Sequence, residues 1–214
     1  MKIAKCDGND VFDDKFDEVI QEAAAEIAAG NLIVYPTETV YGIGADIFNE
    51  VAAKNVFLAK NRPFDMALSV AVSDKKMMES IAVLDENADK LIKAFLPGPL
   101  TMIIEKKKDV PDLVTAMSKK VGIRIPDHPV AMEIIKRTGP IVATSANLHS
   151  RPDATDISTA AKDLGSSVSM YIDSGPSKLK RPSTIVWIMN GEVEIIRQGA
   201  ITIKEIEGVL NADR

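Results

Sequence analysis

Short apolar runs alternate with stretches of helical spacing along almost the whole of this chain. That alternation restricts it to an α/β architecture. Residues 14–29 set Phe16, Val19, Ile20, Ala23, Ala24 and Ile27 at helical intervals, with Asp13 placed to cap the start and Gly30 the end. Residues 32–35 then read as a buried strand. Residues 50–59 read as a second helix with Val51, Phe57 and Leu58 apolar, and 66–72 as a strand. A helix over 85–95 is stopped by Pro97-Gly98-Pro99. Strands follow at 100–105 and 121–125, a helix at 130–137 and a short strand at 141–143. The last third reads as strands at 170–172, 184–189 and 193–196, then a helix at 202–210. Asn190-Gly191 is a hairpin signal, so part of the pairing is expected to be antiparallel. No internal repeat, low-complexity stretch or linker interrupts the 214 residues, so one domain over 1–214 is the simplest reading.

Composition narrows the function classes. A net charge of -5 argues against a general nucleic-acid coat. One cysteine, Cys6, and two histidines, His128 and His149, exclude an internal disulfide and give no His/Cys metal cluster or Cys-His dyad. Apolar runs are short and broken by charges, and the opening MKIAKCDGND has no signal-peptide core, so the expected location is the cytoplasm with no membrane attachment.

Chemistry is signalled where strands empty into polar or proline-rich segments. The strand at 32–35 runs into Pro36-Thr37-Glu38-Thr39 and then Gly42 and Gly44; others run into Arg124-Ile125-Pro126 and Thr144-Ser145-Ala146-Asn147. Ligands in open α/β sheets sit beyond strand ends. Each segment alone also reads as a turn or helix cap, and their repetition favours a site. Lys60-Asn61-Arg62-Pro63 closes a helix, where the dipole itself favours cations, yet two cations beside a proline also suit a polyphosphate. Ser145 and Asn147 add neutral donors, and a following helix start is expected to add backbone N–H groups. Neither the P-loop nor the dinucleotide-binding glycine pattern is present.

In chain order, YPTETVYGIGAD, AKNRP, LPGPLTMI, VGIRIPDHP, VATSANLHSRP, STIVW and IIRQGAI resemble the YrdC-like L-threonylcarbamoyladenylate synthases over about residues 15–202. The resemblance implies a twisted mixed sheet flanked by helices with a concave basic cleft. It implies the single-domain form, without the extra C-terminal domain of longer relatives. It also implies synthesis of threonylcarbamoyl-AMP and pyrophosphate from L-threonine, bicarbonate and ATP, with Mg2+ accompanying ATP. A downstream threonylcarbamoyl transferase complex would pass the group to tRNA. By the same resemblance Thr37, Arg124 and Ser183 contact threonine. Lys60, Arg62, Ser145, Asn147 and Arg197 serve ATP, with Lys60 and Arg62 in the catalytic role. Residues 37–44 would form the floor and turn of the threonine pocket, with the glycines admitting the ligand. The pattern departs at Ala71, where relatives carry a pocket histidine, at Lys120, where a hydroxyl is common, and at His149-Ser150 and Arg181-Pro182. Two other readings share the motifs: a module that binds tRNA or double-stranded RNA without chemistry, and a carbamoyl-transfer domain of the hydrogenase-maturation kind.

Overall fold

Asp13 begins the first helix as its sequence position suggests, its carboxylate accepting from Lys15 N at 3.2 Å. The computed structural model describes residues 1–6, 8, 13–189 and 191–212. Its first part gives β1 (Lys2–Lys5), α1 (Asp14–Ala28), β2 (Ile33–Tyr35), β3 (Gly42–Gly44) and α2 (Glu50–Lys60). The middle gives β4 (Ser69–Ala71), α3 (Lys75–Ile81), α4 (Glu86–Phe95), β5 (Leu100–Glu105), β6 (Lys120–Arg124) and α5 (Pro129–Thr138). The rest gives β7 (Ile141–Val142), β8 (Thr144–Ser145), α6 (Ile157–Leu164), β9 (Met170–Asp173), β10 (Thr184–Met189), β11 (Glu192–Arg197) and α7 (Ile203–Leu210).

The strands form two mixed sheets rather than the single one expected. One runs β1-β9-β2-β3-β8 and the other β11-β10-β5-β6-β4-β7. The division has a local cause. β7 pairs with β4 and β8 with β3, so the chain leaves one sheet and enters the other across Ala143 alone. Ala143 N donates to Ser69 O and Val142 N to Ala45 O, which pins this crossing from both sides. The hairpin of β10 and β11 is antiparallel, with Met189 opposite Glu192; Asn190 of the expected turn lies outside the described residues.

Three further readings change. The strand expected over 66–72 shrinks to β4 because Arg62 takes the carbonyls of Met66 (3.0 Å) and Ala67 (2.8 Å), which removes them from any ladder. Helix α2 turns its small side inward: Ala52, Ala53, Val56 and Phe57 are buried, while Val51 and Leu58 face outward. And 42–44 is a strand, not a turn. Gly42 and Gly44 stand opposite Tyr35 and Ile33. A Cβ on Gly42 would meet the Tyr35 ring at 3.0–3.2 Å, and one on Gly44 would meet the Ile33 side chain and that ring at 3.1–3.2 Å. These glycines make room for a buried tyrosine.

Helix α1 lays Phe16, Val19, Ile20, Ala23 and Ile27 into a hydrophobic cluster with Ile33, Met170 and Ile172 of one sheet and Val130 and Ile134 of α5. A larger cluster joins residues of both sheets, among them Val34, Ile43, Met102 and Ile123. The cavity described next lies between two sheets held by this shared core.

Candidate active site

A cavity of about 440 Å3 is lined from one sheet by Gly42 and Ser145 and from the other by Lys120, Gly122, Arg124 and Arg197. Six of the eight residues singled out by sequence line it: Thr37, Arg62, Arg124, Ser145, Ser183 and Arg197. They come from six separate segments, so the fold, not sequence proximity, assembles them. Lys60 and Asn147 do not line it.

Arg124 ends β6 and is buried at 7% exposure. Its Nη2 donates to Glu38 Oε1, forming a buried ion pair. Its Nη1 donates to Thr39 Oγ1 at 3.0 Å. Thr39 and Thr37 share a hydroxyl contact of 2.9 Å, and Thr37 Oγ1 donates to Val40 O at 2.6 Å. Thr37 therefore spends its proton on its own turn and can only accept from elsewhere. The Arg124 Nε–H is buried with no partner. Nη1 and Nη2 each carry a second N–H beyond the bonds to Thr39 and Glu38.

Lys60 is 2% exposed. Its Nζ donates to Ser145 O, to Asn147 O at 2.7 Å and to Asn147 Oδ1 at 3.4 Å. Burial, and then the neighbouring Arg62 charge, pull its pKa down to about 8. An ammonium has three protons, and each has a protein acceptor here. Asn147 spends its amide on Leu148 O at 3.1 Å and Arg151 O at 2.7 Å. Lys60 and Asn147 thus brace the segment that carries Ser145. Neither Ser145 nor Asn147 caps a helix, contrary to one expectation. Ser145 lies in β8, and the next helix, α6, starts ten residues beyond Asn147 and is capped by Asp156. No helix N-terminus follows the segment directly to offer N–H groups.

Arg62 and Arg197 approach the cavity while anchored to backbone carbonyls, Arg197 by Nη2 on Ser183 O at 2.9 Å. Burial lowers the pKa of both, but a guanidinium remains charged. Ser183 Oγ meets Thr101 Oγ1 at 2.8 Å. Ala71, where the resemblance expects a pocket histidine, is fully buried in the hydrophobic cluster around α1 and sits beside Arg124 in the strand register. Lys120 does line the cavity; its Nζ lies 5.3 Å from the Trp187 ring centre and donates to Ile188 O at 3.2 Å. Sequence reasoning missed Asp153, the carboxylate on the cavity lining. It sits in a loop with no periodic pattern, so nothing local marked it.

The family described as Telomere recombination (Sua5_yciO_yrdC) matches residues 25–199. The chain is 37% identical over 189 residues to a putative threonylcarbamoyl-AMP synthase of Methanocaldococcus jannaschii, covering 88% of this chain and 89% of that protein. It is 38% identical over 197 residues to the threonylcarbamoyl-AMP synthase of Bacillus subtilis, spanning 91% of this chain but 57% of that one. The crystal structure of Pyrococcus abyssi Sua5 complexed with L-threonine superposes with a TM-score of 0.90 at 32% identity, over 98% of this chain and 60% of that one. Escherichia coli YciO, at 22% identity and a TM-score of 0.83, shares the fold. On the match over residues 25–199 and the identity across most of its length, the chain belongs to the Sua5/YciO/YrdC family.

Proposed function

We propose that this protein makes threonylcarbamoyl-AMP and pyrophosphate from L-threonine, bicarbonate and ATP. The observation that carries the reading is the single cavity into which Arg62, Arg124, Ser145, Ser183 and Arg197 converge with Thr37, in a chain 35–38% identical to threonylcarbamoyl-AMP synthases. Its volume of about 440 Å3 falls in the range of small-molecule sites.

The chemistry asks for what the cavity offers. Threonine's amine adds to CO2 derived from bicarbonate and gives a carbamate. A carbamate oxygen attacks the α-phosphorus of ATP, and pyrophosphate leaves. Both partners are anionic, so holding them together requires fixed cations rather than a protein nucleophile. Arg124, a guanidinium on the cavity lining, suits the threonine carboxylate. Thr37 and Ser183 offer hydroxyl oxygens to the amino acid. Arg62 and Arg197 supply positive charge for the phosphates, and Ser145 a hydroxyl. Lys60 and Asn147 act behind the surface, holding the Ser145 segment in place.

Magnesium would arrive with ATP. Among the described residues no group of three or more His, Cys, Asp or Glu side chains could hold a metal, and Asp153 is the carboxylate on the lining. That donor set fits an ion held mainly by phosphate oxygens and water, with Asp153 as the protein's contribution. The ion would neutralise phosphate charge.

The reading places the protein in the cytoplasm, ahead of a threonylcarbamoyl transferase that acts on tRNA. No helix among the described residues is long and apolar enough to cross a membrane. The test is pyrophosphate release from ATP by the pure protein. Release should need both threonine and bicarbonate, and release independent of either would contradict the proposal.

A further inference from the structure

We propose that Glu38 is a positioning residue for the amino-acid half of the cavity, acting through Arg124. The proposal rests on the reading that Arg124 receives the threonine carboxylate.

Glu38 is 5% exposed and does not touch the cavity, yet it joins three segments that build it. One carboxylate oxygen accepts from Arg124 Nη2 at the end of β6. The other accepts from Asp127 N at 3.1 Å, in the corner between β6 and α5. Its backbone carbonyl accepts from Leu179 N at 2.8 Å, on the segment leading to Ser183. The next residue, Thr39, takes the second guanidinium nitrogen at 3.0 Å. The guanidinium is therefore fixed in orientation along the edge formed by Nη1 and Nη2. Its Nε–H is left without a partner.

Charge alone gives Glu38 the opposite role. A carboxylate beside Arg124 weakens the field that an incoming carboxylate meets, so removing its charge should tighten threonine binding. If orientation dominates, removing it should loosen binding. Glu38→Gln separates the two because it preserves shape and removes charge. Glutamine has one acceptor oxygen, whereas Arg124 and Asp127 N each need one. One of the two anchors must be lost.

The experiment is calorimetric titration of wild type, Glu38→Gln, Thr39→Val and Thr39→Ser with L-threonine and, separately, with ATP and magnesium. Melting curves and circular dichroism establish that each variant is folded. We expect Glu38→Gln to weaken threonine binding at least tenfold and to change ATP binding less than twofold. Thr39→Val, which removes the other anchor, should weaken threonine in the same way to a smaller degree. Thr39→Ser, which restores the hydroxyl, should recover most of the lost affinity. Threonine binding in Glu38→Gln as tight as wild type or tighter overturns the proposal. If Glu38→Gln does not fold, the Thr39 pair decides, and wild-type threonine affinity in Thr39→Val overturns it. Wild-type protein that binds no threonine overturns the functional reading together with this inference. Threonine binding that is normal in wild type and unchanged in every variant overturns this inference alone.

Discussion

Lys60 and Arg62 are two residues apart in sequence and answer to different physics. Arg62 lines the cavity, so Arg62→Ala should remove a charge-assisted contact worth about 1.5–3 kcal/mol and weaken ATP tenfold or more, while the freed Met66 and Ala67 carbonyls lower the melting temperature without unfolding the protein. Titration beside a melting curve checks both halves. Lys60 is sealed in, with its ammonium spent on Ser145 and Asn147. Burial lowers its pKa in the fold to about 8, from an ordinary value of 10.5. Between those values the unfolded chain holds the proton more firmly, so this group's contribution to stability is present above the upper value and is lost as pH falls through the lower one. The difference in melting temperature between wild type and Lys60→Met should therefore move in favour of wild type as pH rises from 7.5 to 10. A pH-independent difference would show that Lys60 titrates normally. Arg124→Lys keeps charge and loses the planar fork held by Glu38 and Thr39. It should raise the threonine KM at least tenfold and leave ATP affinity nearly unchanged. At this scale the residue types and their order could be read from sequence. The facts that Lys60 lies beneath the cavity and that Ala71 belongs to the core could not, because both depend on which strand face the neighbours occupy.

Most of the long elements could be read because their apolar spacing is strong, as in α1, β5 and β10. Shorter elements escaped. Helix α3 rests on the Asp74 cap, which accepts from Met77 N at 2.7 Å, and α6 on Asp156, which accepts from Thr159 N at 2.8 Å; both helices span only about two turns. Strand β1 has one buried side chain, and β8 is two residues long. Strand β3 escaped for a more instructive reason. Glycine disfavours strands, and only the Tyr35 ring across the ladder explains its presence. Gly42→Ala should thus cost about 1–3 kcal/mol by overpacking. Gly208→Ala, in helix α7 with nothing within 4 Å of the new methyl, should gain about 0.5–1 kcal/mol. Urea midpoints of the two variants should move in opposite directions from wild type, and movement in the same direction would contradict the packing account.

The whole molecule is two mixed sheets sharing a core, with the cavity where they face each other. That division was hidden in sequence, since it turns on a single residue, Ala143, between β7 and β8. The placement of charge follows from it. Arg124, Lys120 and Arg197 come from one sheet and Ser145 from the other, so neither sheet alone would form the site. The central claim is that this one cavity joins an amino acid, bicarbonate and a nucleotide. The most direct measurement is mass spectrometry of the products formed from ATP, L-threonine and 13C-bicarbonate. The account predicts threonylcarbamoyl-AMP carrying the labelled carbon, with pyrophosphate in equal amount, and neither when threonine is omitted. Adenylate formed without the labelled carbon, or ATP left intact with all three substrates present, would contradict it.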